Sequence, residues 1–338
     1  MTTEQINKLV TEGVSPGEGG QRELIETHIS WVILGDEFVY KIKKPIQYSF
    51  LDFSSIELRK LNCDRELELN KRLAPDVYIA VVPIREYQQN ITIGGNEGTI
   101  IDYAVKMHKL KVDRRMDKLL VKNEVSTVDI KKLAERIASF HKEAAIINEK
   151  NLLDIREEFN DLKTEKEYLA KQLDDTFGQI IDNAIRFSDQ FLIENKKLIG
   201  DRLNNDFYRD CHGDLHSRNI FLLPEPVPFD CIEFNDDFRQ IDVLNEVAFL
   251  CMDLDAFDRK DLSELFLKYY NQFFPAMETA EERKLFIFYK SYRANIRAKV
   301  NSLRARSATT NDEKSKALSA AEKYLTLMKG YITELQTA

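Results

Sequence analysis

Between Cys211 and Phe234 the chain reads CHGDLHSRNIFLLPEPVPFDCIEF, in which His212, Asp214, Asn219 and Asp230 stand among largely apolar neighbours. Phosphoryl transfer asks little covalent chemistry of a protein. It needs a carboxylate to orient an attacking hydroxyl and take its proton, hard oxygen ligands for a divalent cation, and a fixed positive charge on the nucleotide phosphates. Asp214 is the right type for the carboxylate, and Asn219 offers an amide oxygen one short loop later. Asp230, in the strand-like run VPFDCI, offers a second oxygen; such ligands suit Mg2+ better than a soft metal. The cation can come from Lys41 in FVYKI, whose side chain shares a face with Val39 because alternate residues of a strand point the same way. Glu66, in the helical stretch that follows, is the type of residue that holds such a lysine in place. Lys43, Lys44 and Glu68 compete for these two roles.

The same loop has a second reading. His212-x-Asp214-x-His216 places metal-ligand types at alternate positions, as a zinc hydrolase site can. That reading leaves Asn219, Asp230 and Lys41 without a task, so phosphoryl transfer takes precedence. In it His212 packs the loop backbone and is not a base, and His216 bonds within the turn. Cys63, Cys211, Cys231 and Cys251 are scattered with no C-x-x-C pair and are expected to be reduced, and Cys211 and Cys231, which adjoin the motifs, to be buried small side chains.

Two regions of different character must position these groups. From Glu23 to Met107 strand signals dominate: ELIET, SWVIL and EFVYKIK, with Gly35-Asp36 as a hairpin turn, then VYIAVVPI, NITI and TIIDYAVKM, with Gly94-Gly95 as another. Between the two sets lies one helix, capped by Ser54 or Ser55, with Leu58, Leu61, Leu67, Leu69 and Leu73 at roughly helical intervals. After Met107 the pattern turns to long amphipathic helices, the first capped by Ser126 or Thr127, with others over 154–199, 242–275 and 281–305. The expected division is 1–107, a nucleotide-binding lobe, and 108–338, a helical lobe with the catalytic loop and acceptor site.

With 338 residues, 43% apolar and 31% charged, the chain can bury a core in each of two lobes. A net charge of −8 argues against nucleic acid as the main partner, which would need a clustered cationic surface. No run approaches the roughly 20 apolar residues of a membrane helix, and the polar start MTTEQINKLVTEG lacks an export signal, so no membrane partner and a cytoplasmic location are expected.

In the order of its motifs the chain resembles the aminoglycoside phosphotransferase group of the protein-kinase-like superfamily, whose relatives include choline kinase. HGDLHSRN is similar to that group's H-G-D-x-H-x-x-N catalytic loop, and PFDCIEFNDDFRQID to its second signature. The resemblance implies an α+β, two-lobed protein-kinase-like fold with a small β-rich N-terminal lobe carrying one main helix and a larger, mainly helical C-terminal lobe. It implies ATP and Mg2+ as cofactors and a small-molecule hydroxyl as acceptor. Asp214 would be the base, Asn219 and Asp230 the metal ligands, and Lys41 with Glu66 the phosphate grip. His212 and Asp242 would brace the catalytic loop, and backbone groups from Ala104 through Met107 to His108 would receive adenine. The nucleotide loop of a protein kinase would fall at Glu26-Thr27-His28-Ile29-Ser30, where no glycine stands, so the Thr27 and Ser30 hydroxyls are the phosphate candidates. The cluster Gly13, Gly17, Gly19 and Gly20 follows no strand and reads as a lead-in. A kinase-like regulator or scaffold that binds nucleotide without small-molecule turnover is the alternative.

Two charged groups bear on the acceptor. In FYKSYRANIRAKVNSLRAR, Leu285, Tyr289, Tyr292, Ile296, Val300 and Leu303 form an apolar stripe, and Lys290, Arg293, Arg297 and Arg304 a basic one about 100° away by helical geometry. If the basic stripe borders the site, Arg293 and Arg297 would favour an anionic acceptor. Asp253, Asp255 and Asp258 read as a hydrated helix face, with attraction for a cationic acceptor as the other possibility.

Overall fold

The computed structural model describes residues 1–13, 22–48 and 51–337. Of the glycine cluster, only Gly13 falls within the described residues. The chain divides into two compact units, Met1–Leu119 with Arg218–Phe238, and Leu120–Ser217 with Arg239–Ala338.

The first unit opens with α1 (Thr3–Thr11), in the polar amino-terminal stretch for which no element was anticipated. Thr2 and Gln5 close a capping box at its start, and Ile6 and Leu9 turn inward at helical spacing. Strands β1 (Glu23–Glu26), β2 (Ser30–Leu34) and β3 (Phe38–Lys43) follow, then the short pair β4 (Gln47–Tyr48) and β5 (Leu51–Asp52), helix α2 (Ile56–Lys71), and strands β6 (Tyr78–Tyr87), β7 (Asn90–Ile93) and β8 (Thr99–His108). The main sheet has the order β1-β2-β3-β8-β6-β7 and every pair in it is antiparallel.

Strand alternation gives this sheet two different faces. Trp31, Ile33, Tyr40 and Ile42 pack with Ile6 and Leu9 of α1. Val39, Val105 and Met107 pack instead with Cys63 of α2. Lys41 and Lys43 share the face of Val39 and so point to the α2 side. Ser55 caps α2 by accepting from the Leu58 N–H. Of the expected leucines, Leu69 and Leu73 are buried but Leu61 is 61% exposed, and the buried face is completed by Arg59, Cys63, Glu66 and Asn70. The face is polar because it meets charge, Arg59 reaching Asp102 and Glu66 reaching the lysines of β3.

The chain passes through α3 (Met116–Val121) into the second unit, with α4 (Thr127–Glu143), α5 (Asp154–Asn160), α6 (Lys166–Gln172), α7 (Asp175–Glu194), α8 (Lys196–Asn204) and β9 (Tyr208–Asp210). It then returns to the first unit for the hairpin β10 (Ile220–Leu222) and β11 (Pro226–Pro228). The division thus falls after Leu119 rather than Met107, and 218–238 joins the first unit, because Arg115 bridges Phe221, Arg114 donates to the Leu222 carbonyl, and Val227 and Phe229 pack into the Tyr78 cluster.

The last elements are β12 (Gln240–Asp242), paired with β9, then α9 (Val243–Ala256), α10 (Lys260–Phe273), α11 (Ala280–Ser307) and α12 (Asn311–Thr337). All residues of α9 are buried, including Asp253 and Asp255, so these two are no hydrated face. Asp253 accepts from the Ser217 N–H at 2.8 Å, and Asp255 takes the Lys290 ammonium and the Tyr331 hydroxyl, both at 2.6 Å; Asp258 alone of the three is exposed. Helix α12 lies beyond the anticipated helices. It buries Tyr324, Leu325, Met328, Tyr331 and Ile332, and shifts the buried face of α11, so that Leu303 is 42% exposed while Arg293 and Arg297 are buried. No helix among the described residues is long and apolar enough to cross a membrane.

Phe288 of α11 is wholly buried and stacks on Phe191 of α7, ring centroids 4.4 Å apart, and on Phe159 of α5 at 6.1 Å. Phe288→Ala removes both stacks and leaves a cavity. It should cost about 3–5 kcal/mol of stability, read by urea unfolding; a loss under about 1 kcal/mol would mean that this stack is not a core contact.

Candidate active site

In the first unit the expected lysine and acid meet. Lys41 Nζ lies 2.8 Å from Glu66 Oε1 and 2.6 Å from Asp230 Oδ1. Glu68 points to solvent, and Lys44 pairs with Glu26. Lys43 is neither solvated nor open to a phosphate, being wholly buried between Glu66 Oε2 at 2.8 Å and Glu233, over the Phe53 ring. Burial works against ionisation of all these groups, but the opposite charges outweigh it for three of them. Lys41 and Lys43 are held well above the usual lysine range, and Glu66 is brought from 4.5 to about 2. Glu233 is pushed up by burial despite Lys43.

Asp230 follows β11 in a left-handed conformation, φ 64°, one that aspartate tolerates better than most side chains and that its surroundings here hold in place. They do so through its N–H, donated to the Tyr78 hydroxyl at 3.1 Å, and through the Lys41 pair; the next N–H, of Cys231, goes to Asn70 Oδ1 at 2.8 Å. Asn219 is buried, and its carbonyl accepts from Phe229 N–H at 3.0 Å, tying the two candidate metal ligands to one hairpin. Met107 stands in the ladder between Val39 and Tyr78, while the His108 and Lys109 N–H groups are spent on the carbonyls of Val77 and Glu37. The expected phosphate hydroxyls are placed otherwise. Thr27 Oγ closes the β1–β2 turn on Ser30, and Ser30, opposite Lys43 in the ladder, is wholly buried and cannot offer its hydroxyl to solvent.

In the second unit the candidate catalytic loop, of which this unit carries 212–217, is held by its backbone. Glu246 of α9 accepts from the N–H groups of His212 at 3.0 Å and Gly213 at 2.6 Å, and its Oε2 also meets His141 Nε2 at 2.8 Å. Tyr270 holds the other nitrogen of His141 at 2.7 Å. Asp253 secures the loop's far end at Ser217, and Arg293 spans from Asn245 Oδ1, 2.7 Å, to the Gly213 carbonyl, 3.3 Å. Gly213 has φ 87°, a conformation that glycine alone adopts freely. His212 is wholly buried and accepts the Asp214 N–H on Nδ1 at 3.2 Å. Asp242 differs from expectation. It caps α9 through the Leu244 N–H and binds Arg202 at 2.6 and 2.9 Å, so the residue that braces the loop is Glu246, one helical turn on. A carboxylate inside the apolar run VLNEVAFL is the signal that could have marked it.

The Asp214 side chain remains 35% exposed. Burial opposes its ionisation, but His216, 3.4 Å from its Oδ2, together with Arg297 and His212 holds it well below the usual carboxylate range. Arg297 Nη1 lies 3.5 Å from His216 Nε2. Arg293 and Arg297 are therefore brought to the loop, but both are buried and engaged within the unit instead of forming a solvated stripe. His212, Asp214 and His216 do not gather as a metal cluster. Among the described residues the one such group is His141, Cys211 and Glu246, wholly buried, with His141 and Glu246 hydrogen-bonded as above. All four cysteines are free, and Cys63 and Cys251 are buried as well as Cys211 and Cys231, for which burial was expected.

Glu246 sets a pH dependence. Burial pushes its carboxyl up, but His141 and the His212 amide outweigh this and bring it from 4.5 to about 2. A carboxyl lowered on folding adds stability that is complete above about pH 4.5 and is lost as the pH falls toward 2, here about 3 kcal/mol. Glu246→Gln should be less stable at neutral pH and show a flatter decline over that window in urea unfolding. Parallel curves for variant and wild type would remove Glu246 from the account.

No family model matches the chain. Uncharacterized proteins of Mycobacterium bovis and Mycobacterium tuberculosis are 30% identical over 286 residues, 82% of this chain and 54% of theirs. The chain thus spans about half the length of the curated relatives it matches. Among solved structures, the GDP complex of wild-type aminoglycoside 2'-phosphotransferase-IIIa superposes with a TM-score of 0.56 at 13% identity, over 96% of this chain and 98% of that one. A choline/ethanolamine kinase family protein from Mesorhizobium loti does so with a TM-score of 0.50 at 10% identity, over 99% and 100%. The chain has the α+β, kinase-like fold of the aminoglycoside phosphotransferases and choline/ethanolamine kinases, the group that its catalytic-loop pattern resembles.

Proposed function

We propose that the chain is a phosphotransferase that moves the γ-phosphate of ATP to a hydroxyl of a small molecule. The observation that supports this reading most is the Lys41 arrangement. Its ammonium is fixed by a wholly buried acid, Glu66, and touches a second acid, Asp230, whose side chain is 42% exposed. That is the provision a nucleotide phosphate with its counter-ion requires. Lys41 would bind the α- and β-phosphates, whereas the backbone around Met107, expected to receive adenine, is engaged in the ladder and is not assigned to it.

Asn219 and Asp230 are hard oxygen donors carried on one hairpin and fit Mg2+, which when bound would neutralise charge on the phosphate oxygens. Asp214 keeps its negative charge, and its side chain is exposed enough to meet an acceptor hydroxyl, orient it and take the proton. The fold shared with proteins named as aminoglycoside phosphotransferase and choline/ethanolamine kinase supports the reaction class. Arg293 and Arg297 act on the catalytic loop in this reading, so neither their charge nor that of Asp253 and Asp255 defines the acceptor.

A panel of hydroxylated metabolites and aminoglycosides, offered with ATP and with GTP, should reveal the acceptor by nucleotide consumption. With that acceptor Asp214→Asn should lower turnover by about 10² or more, the range a positioned base supplies, while nucleotide binding persists. Turnover near wild type would exclude Asp214 as the base. Asp230→Ala should weaken MgATP binding far more than binding of metal-free ATP, because the carboxylate acts through the ion. Equal weakening of both would remove Asp230 as a metal ligand.

A further inference from the structure

Lys43 has no part in the proposed chemistry, yet it is as deeply placed as any charge in the chain. Its ammonium is wholly buried and bonds two carboxylates, Glu66 Oε2 at 2.8 Å and Glu233 Oε1. Glu66 divides its oxygens between two lysines two residues apart on β3, Oε1 to Lys41 and Oε2 to Lys43. Glu233 lies three residues after Asp230 and is itself only 3% exposed. The charged groups around this point are thus Lys41, Lys43, Glu66, Glu233 and Asp230, two cations against three acids. Remove Lys43 and a single ammonium, that of Lys41, faces all three.

We propose that Lys43 is a positioning residue that keeps Lys41 available to phosphate, by neutralising Glu233 and the second oxygen of Glu66. A buried carboxylate left without its cation draws in whatever positive charge is near. Here that charge is Lys41, whose Nζ already touches Glu66 and whose side chain is 12% exposed against none for Lys43. Lys43 therefore acts through Lys41 and touches no nucleotide itself. The proposal rests on the phosphotransferase reading, and specifically on Lys41 as the phosphate ligand.

The test is MgATP affinity by calorimetry, at a temperature where circular dichroism shows every variant folded. Lys43→Met should bind MgATP about tenfold more weakly or worse, as expected when one member of a coupled charge network is removed. Glu233→Gln keeps a hydrogen-bond acceptor for Lys43 while removing an acid, and should stay within about threefold of wild type. The double variant Lys43→Met/Glu233→Gln should recover to about the same level, because the excess acid has gone with the cation. If Lys43→Met does not fold, Lys43→Gln takes its place, retaining polar contacts without the charge. A merely structural Lys43 would give folded single variants that bind MgATP as wild type does, and that result overturns the proposal. So does a folded double variant as weak as the single one. A wild type that binds no MgATP overturns the phosphotransferase reading, and this inference with it.

Discussion

An ionised carboxylate taken out of water costs several kcal/mol unless cations or N–H donors surround it, and each unit is arranged around one that is so surrounded. In the first unit it is Glu66. Meeting it requires two lysines on one face of β3, and this requires α2 to turn a polar side toward the sheet, with Arg59, Glu66 and Asn70 inward and Leu61 outward. In the second unit it is Glu246, whose partners are two loop N–H groups and His141. The candidate catalytic loop is thereby fastened by its backbone to a helix that is buried along its whole length. Neither carboxylate is free to leave its place without abandoning its partners, so the groups they hold are placed with the same rigidity.

What a sequence discloses of this arrangement follows from the range of the interactions. Strand alternation fixes which face Lys41 shares, and the turn and cap residues at Gly35-Asp36, Ser55 and Ser126 fix where elements begin, since these are effects of neighbours along the chain. Glu66 is legible as a residue type, but its choice over Glu68 depends on the rotation of α2, which the leucines leave ambiguous, since Leu69 and Leu73 turn inward with Glu66 while Leu61 turns out. Glu246 and Lys43 are hidden for a related reason: each takes its meaning from partners distant in the chain, 33 and 34 residues for Glu246 and 190 for the Lys43–Glu233 bond. The arginines of α11 show the limit from the other side. Spacing predicts a basic stripe beside an apolar one, and only the packing of α12 and the nearness of the loop turn Arg293 and Arg297 into buried groups.

The division between holders and held carries through both units. The two carboxylates proposed to meet the reactants, Asp214 and Asp230, have side chains 35% and 42% exposed. The acids beneath them, Glu66, Glu233 and Glu246, are buried almost completely. Exposure lets the first pair exchange solvent for substrate, while burial strengthens the electrostatic grip of the second group on its partners.

Strain is placed by the same logic. The left-handed backbone of Asp230 costs about 1–2 kcal/mol and is offset by the Tyr78 hydroxyl and the Lys41 ammonium, both fixed in the sheet. At Gly213 the same kind of conformation is reached without a side-chain penalty, and both peptide groups of the turn are tied down, the N–H to Glu246 and the carbonyl to Arg293. A substitution that leaves the two aspartates proposed to meet the reactants untouched but releases one of these ties therefore acts on the position of a charge rather than on its presence, and its effect should appear in ligand affinity before it appears in the fold.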